Sequence, residues 1–319
     1  MLDLTSSIAG GFCTGLLARM GADVARAEDP DRRGATRVVH AYIHAGKRST
    51  VQVVGASLDC ALLDLSERAD VIVTDDASCF DLPDPLRGSP RVVVTLNGFS
   101  ELPARESARH TELALWAESG LLDLARGTSG EPVPPPGFQA SYYVGAHAAV
   151  AVVAAVMHAR ATGESPTIEV NASDVLSSLL LATGELDRDD YLDDGGSQDG
   201  RRSCLIEAAD GDVLLNLSSV YVQDFIAFAR GWGLIGDAPH QSEAELCKSA
   251  ARAMRQWSRT EIVERAQEWR LPAGAVLSLE ELESDEQIRH RGTLRNVDDP
   301  ALGTVTMPWL PWVETARSA

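Results

Sequence analysis

This sequence predicts an α/β fold built on a doubly wound parallel sheet, and three observations carry that prediction. Short apolar runs such as Val71-Ile72-Val73 and Val92-Val93-Val94-Thr95-Leu96 recur between stretches with helical apolar spacing. Those runs are apolar throughout and do not alternate, as in strands covered on both faces. The chain also opens with a strand-turn-helix-turn-strand unit punctuated by glycine, the start of a parallel sheet.

Each element follows in turn. Residues 1–4 read as a strand. Ile8-Ala9-Gly10-Gly11 then opens a helix with Phe12, Leu16, Leu17 and Met20 on one face, and Gly21 stops it. Residues 22–28 and 49–54 are the next strands, 58–69 a helix, 71–73 and 92–96 buried strands, and 112–125 a helix. A Gly- and Pro-rich loop over 127–137 contains Pro134-Pro135-Pro136, which favours an extended backbone. It delivers Ala140-Ser141-Tyr142-Tyr143 to an Ala-rich apolar helix over 144–160, read as the buried central helix of the domain. Residues 185–202 turn abruptly polar and charged, and read as a linker or loop. A smaller unit is expected beyond it, with a hairpin from 203–208 and 213–217 around Asp210-Gly211 and helices at 222–232 and 260–269.

Composition excludes several function classes. With 28 Lys+Arg against 47 Asp+Glu the net charge is -19, so the basic surface that a nucleic acid or anionic membrane requires is missing. A polyanionic ligand would need local clusters, and Lys47-Arg48 and Arg201-Arg202 are the candidates. Cys13, Cys60, Cys79, Cys204 and Cys247 are scattered and form no C-x-x-C pair, which argues against a disulfide framework or zinc site and for a reduced, cytoplasmic setting. Acid near Met1, and no apolar run approaching the roughly eighteen residues of a membrane span, lead to the expectation of a soluble protein. The segment Ile8-Ala9-Gly10-Gly11-Phe12-Cys13 lacks the G-x-G-x-x-G fingerprint of a nicotinamide dehydrogenase.

The order of short motifs is more specific than the fold class. Leu2-Asp3-Leu4-Thr5 with Ile8-Ala9-Gly10, Gly21-Ala22-Asp23-Val24 with Glu28, and Gly46-Lys47-Arg48-Ser49 come first. Ala69-Asp70-Val71-Ile72-Val73, Asn97-Gly98-Phe99, Ser119-Gly120-Leu121, Tyr142-Tyr143-x-Gly145, Thr162-Gly163-Glu164, Ala209-Asp210-Gly211 and Leu271-Pro272-Ala273-Gly274 follow in the same order. Through these pieces the chain resembles the class III CoA-transferases, the CaiB/BaiF family, over nearly its whole length. The resemblance implies a Rossmann-like large domain formed by residues 1–184 and 281–319, and a smaller α+β domain at 203–280 inserted after the 185–202 linker. It also implies an interlocked dimer, exchange of coenzyme A between an acyl-CoA and a free carboxylic acid, and no metal or redox cofactor. That chemistry is covalent: an aspartate attacks the thioester, and the resulting mixed anhydride passes CoA to the enzyme carboxylate and onward.

The family places that aspartate directly before its Tyr-Tyr-x-Gly motif, and Ser141 stands there in this chain. Ser141 either accepts an acyl group itself, for which it needs a base, or lines the pocket with Tyr142 and Tyr143. The histidine that the racemase branch pairs with its aspartate falls at Thr111, with His110 one residue earlier, so a racemase is not expected. His110 is instead a candidate for lining the site. The glycine-rich loop over the family's site is reduced to Gly195-Gly196. Candidate CoA contacts are Ile8, Ala9 and Gly10 at a helix start that is either an anion-binding terminus or a packing surface, together with Lys47, Arg48 and Asp75. The expected function is therefore action on an acyl-CoA or related thioester by a route that does not use the family aspartate. The alternative is a non-catalytic subunit in a heterodimer with an Asp-containing homologue; in the first case the chain is a homodimer.

Overall fold

Six strands form one parallel sheet: β1 (Leu2–Leu4), β2 (Ala25–Glu28), β3 (Arg48–Val51), β4 (Val71–Thr74), β5 (Val92–Asn97) and β6 (Thr167–Asn171). Their spatial order is β3-β2-β1-β4-β5-β6, the doubly wound arrangement whose winding reverses between β1 and β4. The computed structural model describes residues 1–28, 36–51, 60–75, 91–98, 111–125, 130–182, 203–216, 222–235 and 243–312.

The chain divides into two compact units, residues 1–185 with 287–319, and residues 186–286. In the first unit the sheet carries α1 (Ile8–Arg19), α2 (Arg37–His44), α3 (Cys60–Arg68), α4 (Glu112–Glu118), α5 (Leu121–Leu124), α6 (Gln139–Thr162) and α7 (Ala172–Ser178). Val71 and Val73 of β4 pack with Cys13 and Leu17 of α1 and with Val144, Ala148 and Val152 of α6. Ile72, pointing to the opposite face, packs with Leu2, Ala25 and Leu65 of α3. The period-2 alternation of a strand thus feeds two apolar layers, which is why β4 contains no polar residue before Thr74.

The second unit contains β7 (Ser203–Ala208), β8 (Gly211–Asn216) and β9 (Ala273–Ala275) in an antiparallel sheet, with α8 (Val222–Gly231), α9 (Glu243–Met254), α10 (Arg259–Glu268) and α11 (Leu279–Ser284). Ile206, Val213, Leu215, Phe225, Phe228 and Ile262 form its core. After α12 (Glu286–Arg291), β10 (Leu294–Asp299) and β11 (Gly303–Pro308) form an antiparallel hairpin.

Four features differ from the sequence-based expectation. The predicted 112–125 helix is two helices, because Gly120 adopts φ 83° and breaks the hydrogen-bond ladder between α4 and α5. The central helix begins at Gln139 and not at 144, so Ser141 lies in its first turn and not in the loop before it. The buried face of α1 is made of Gly10, Gly11, Cys13, Thr14, Gly15, Leu17 and Arg19, whereas Met20 is 48% exposed and Phe12 and Leu16 are half-buried. Finally, α6 is long and apolar enough by composition to cross a membrane, contrary to the expectation that no such run exists. It is nevertheless a core helix, with Val144, Ala148, Val152, Ala155 and Ala159 buried.

Small residues let α1 and α6 approach each other closely. A Cβ built on Gly145 would lie 2.5 Å from the Ala9 carbonyl oxygen and 3.1 Å from the Cys13 nitrogen, both backbone atoms that cannot rotate aside. Gly145→Ala is therefore expected to destabilise the protein by about 1–3 kcal/mol through overpacking. Chemical denaturation of the two proteins measures this, and an unchanged midpoint would mean that the helices separate at no cost.

Candidate functional site

The central helix α6 obtains its N-terminal acceptor from elsewhere in the chain. A 24-residue helix leaves its first N–H groups without intrahelical partners, and α6 starts at Phe138-Gln139-Ala140-Ser141, with no capping side chain and no acid in its first turn. Glu112, the first residue of α4, supplies the acceptor. Its Oε1 accepts from the Ala140 N–H at 2.6 Å and the Trp116 indole N–H at 3.2 Å, while Oε2 accepts from the Ser141 N–H at 3.2 Å and the Ser141 hydroxyl at 2.7 Å. Four donors therefore orient one half-buried carboxylate against Ser141.

The half-buried Tyr142 extends the site. Its ring lies 4.7 Å from that of Phe12 and 6.0 Å from that of Tyr42, and burial raises its phenol pKa above the usual value. Arg19 lies beneath these rings, 4.8 Å from the centre of Tyr42 and 5.8 Å from those of Phe12 and Trp309. Arg19 is only 9% exposed; one guanidinium nitrogen, Nη1, donates to the Tyr42 carbonyl at 3.4 Å, whereas Nε and Nη2 are buried with no hydrogen-bond partner among the described residues. Tyr143 is 44% exposed, and its carbonyl is 2.9 Å from His147 Nδ1, so His147 serves its own helix and not Ser141.

The winding reversal between β1 and β4 is also occupied by the chain itself. Asp75, immediately after β4, accepts from the Ser6 N–H at 2.6 Å and the Ser7 N–H at 2.7 Å, and from the Ser6 and Ser7 hydroxyls at 3.1 and 2.7 Å. Burial holds its carboxyl above the usual range despite these bonds. Ser7 in turn caps α1 by accepting from the Gly10 N–H at 3.0 Å. The Ile8-Ala9-Gly10 start is thus a capped packing surface: a Cβ on Gly10 would lie 2.4 Å from Thr5, and the Ala9 carbonyl faces Gly145. The Asp75 carboxylate takes the N–H groups of Ser6 and Ser7 just before this helix, and the Gly10 N–H is taken by Ser7.

Lys47, expected at a phosphate, points inward. Its ammonium is bonded to Asp3 Oδ2 at 2.8 Å, Thr14 Oγ1 at 2.6 Å, the Gly11 carbonyl at 2.8 Å and His44 Nδ1 at 2.9 Å, and the Lys47 and Asp3 side chains are 1% and 0% exposed. Burial opposes the charge on Asp3, yet Lys47 and the hydroxyls of Thr5 and Thr14 keep its carboxyl below the usual range. Arg48, the neighbouring candidate, is exposed and pairs with Asp23 at 2.7 Å. His110, Gly195, Gly196 and Arg201-Arg202 lie outside the described residues.

The structure sets Glu112 against Ser141, and Arg19 against the rings that contact Tyr142; neither Glu112 nor Arg19 was among the candidates read from the sequence. The clue to Glu112 was the bare start of α6, since a long helix with no local cap must borrow an acceptor. Arg19 had no such clue, because an arginine in the last turn of a helix reads as a solvated group complementing the dipole.

Comparison with known proteins locates the whole chain. The model of CoA-transferase family III matches residues 1–75 and 86–317. The chain is 29% identical over 349 residues to succinyl-CoA:mesaconate CoA-transferase of Haloarcula marismortui, covering 94% of this chain and 85% of that protein. It is 24% identical over 333 residues to succinate–glutarate CoA-transferase of Agrobacterium fabrum, covering 92% and 82%. Among solved structures, a CaiB/BaiF family protein from Brucella suis superposes with a TM-score of 0.75 at 18% identity, covering 99% of this chain and 91% of that one, which establishes the shared fold.

Two stability outcomes are expected. Lys47→Met strands the buried Asp3 carboxylate and should cost about 3–5 kcal/mol, with part recovered by adding Asp3→Asn; denaturant melts measure both, and an undiminished single variant would show that the pair is dispensable. Burial, then the charge of Lys47, lowers the His44 pKa, so the native state resists a proton that the unfolded chain accepts near pH 6.5. Stability should therefore decline as pH falls below about 6.5, by at most about 1.4 kcal/mol per pH unit from this residue, and His44→Gln should flatten the decline.

Proposed function

The chain belongs to CoA-transferase family III, and we propose that it acts on an acyl-CoA or related thioester at the N-terminus of α6, with Ser141 in place of the family aspartate. The observation that carries this reading is the bond from the Ser141 hydroxyl to Glu112 at 2.7 Å. Position 141 has no carboxylate of its own, yet a carboxylate from another element is held beside it. A thioester carbonyl entering there meets the Ser141 hydroxyl and, bonded to it, the Glu112 carboxylate.

Arg19 supports a substrate class. Buried guanidinium donors without acceptors are costly, and Nε with Nη2 is the side-on fork that takes a carboxylate with two hydrogen bonds. The fork lies beneath Phe12 and Tyr42, the two rings that touch Tyr142. We place there the far carboxylate of a short dicarboxylic acyl group. The names of the two relatives, which pair succinyl-CoA with mesaconate and succinate with glutarate, agree with that class.

The assembly we propose is a homodimer, supported by the exposed Val150, Val153 and Met157 on one side of α6, an apolar stripe at helical spacing. Turnover of succinyl-CoA with a second dicarboxylic acid by the chain alone tests the whole reading. Activity that requires an added Asp-containing homologue would instead assign this chain as the non-catalytic subunit. In an active chain, Arg19→Met should raise KM for a dicarboxylic acyl-CoA at least about tenfold while leaving that for acetyl-CoA unchanged. Equal effects on both substrates would remove Arg19 from substrate recognition.

A further inference from the structure

We infer that Glu112, and not Ser141, is the group that becomes covalently attached during turnover, so that the protein passes CoA between two carboxylic acids through a glutamyl thioester. This rests on the reading that an acyl-CoA is bound at the start of α6. Three observations lead to it.

The first is chemical. An acyl-serine is an ordinary ester, and a free carboxylate attacking it would have to expel an alkoxide to form an anhydride, an uphill step. A serine ester can pass its acyl group to water or an alcohol, but it gives an incoming acid no CoA. A side-chain carboxylate forms a mixed anhydride, which has two activated carbonyls.

The second is the division of donors between the two oxygens of Glu112. Among the described residues, Oε2 is held only by Ser141, through an N–H and a hydroxyl that rotates about a single bond. Oε1 is held by the Ala140 N–H and the buried indole of Trp116, neither of which turns aside. Oε2 is therefore the oxygen that can be released to attack, and Oε1 the oxygen on which negative charge is stabilised when Cδ is attacked.

The third is Arg19, nine-tenths buried, whose Nε and Nη2 have no hydrogen-bond partner among the described residues. Arg19 lies under the Phe12 and Tyr42 rings that pack against Tyr142, and the preceding residue, Ser141, is bonded to Glu112, so one row of contacts joins the guanidinium to the carboxylate. A dicarboxylic acid would place one carboxyl group at each.

The steps balance without a proton donor or redox partner. Oε2 attacks the thioester carbonyl carbon, the C–S bond breaks, and CoA leaves as thiolate from the mixed anhydride. The thiolate attacks Cδ of Glu112, the Cδ–Oε2 bond breaks, and the donor acid departs as a carboxylate carrying that oxygen. The acceptor carboxylate attacks Cδ and again expels CoA thiolate. That thiolate attacks the acceptor carbonyl of the new anhydride, releasing acceptor-CoA and the Glu112 carboxylate, which now contains one acceptor oxygen.

The experiment combines trapping with variants of the full chain. Wild-type protein and Ser141→Ala are incubated with succinyl-CoA, quenched with hydroxylamine and digested. A hydroxamate on Glu112 in both proteins is expected, as is transfer of ¹⁸O from labelled acceptor acid into released succinate. Glu112→Gln, which keeps an acceptor for Ala140 and Trp116, should fold with native circular dichroism and lose about 10³-fold or more in kcat. Adding Ser141→Asp to Glu112→Gln restores a carboxylate at the same spot and should recover part of that loss. An acyl group on Ser141, or turnover by the wild type with Glu112 unmodified and no ¹⁸O transfer, overturns the assignment of Glu112 and leaves the acyl-CoA reading intact. Absence of succinyl-CoA binding by calorimetry overturns both.

Discussion

The buried ion pair between Lys47 and Asp3 sets the arrangement of the first unit. Asp3 lies on the central strand β1, and its carboxylate also accepts from the Thr5 N–H at 3.0 Å and from the Thr5 and Thr14 hydroxyls, each at 2.7 Å. Burying two charges is tolerable only when every remaining lone pair and proton is matched. Here the matching groups come from β1, α1 and the end of α2, so these elements can pack in only one way. His44 completes the shell as a neutral acceptor, because a protonated ring would face the Lys47 ammonium across 2.9 Å.

That packing demands small side chains on α1. A Cβ on Gly15 would lie 2.2 Å from the Ile43 carbonyl oxygen, and one on Gly11 would lie 2.8 Å from the Ile43 side chain, so α2 can approach α1 only across glycines. The neighbouring face meets Gly145 of α6 in the same manner. Through these contacts the position of β1 is transmitted to α6, and with it the position of Ser141. A shift of α6 along α1 would drive side chains into the backbone that now faces Gly145.

A shared electrostatic device follows. A carboxylate from another element stands at the start of each of α1 and α6: Asp75 binds Ser6 and the N-cap Ser7 before α1, and Glu112 binds the first-turn N–H groups of α6. At α6 the Ala140 and Ser141 N–H groups are already engaged by Glu112, unlike the open N–H groups of a glycine-rich phosphate-binding turn. Negative charge is thus built into the site, and the unpaired positive charge is moved to Arg19 under the aromatic rings. The arrangement suits chemistry in which a fixed carboxylate meets an electrophilic carbonyl and a guanidinium takes the substrate's own charge.

The legible part of the protein was that governed by local pattern. The near-continuous apolar runs at 71–73 and 92–96 marked the sheet, since strands covered on both faces carry few polar residues, and both lie within strands of the structure. The short β6, Thr167–Asn171, went unread because its exposed residues dilute the apolar signal at the sheet edge. Motif order led to the family and to the serine at position 141. The α1 stripe of Phe12, Leu16 and Met20 was misread because apolar periodicity measures side-chain character, while this helix buries its glycines for closeness of approach.

By itself the sequence determined the alternation of strands and helices, the family, and the absence of an aspartate before Tyr142. Only the tertiary structure decided where the charges went. Lys47 turned inward because Asp3 awaited it 44 residues away, Asp75 reached back 68 residues to Ser7, and Glu112 crossed 29 residues to Ser141. Local periodicity carries no information about contacts at such separations. They are selected by the requirement that every buried charge and helix-terminal N–H find a partner, and that requirement acts only once the chain has folded.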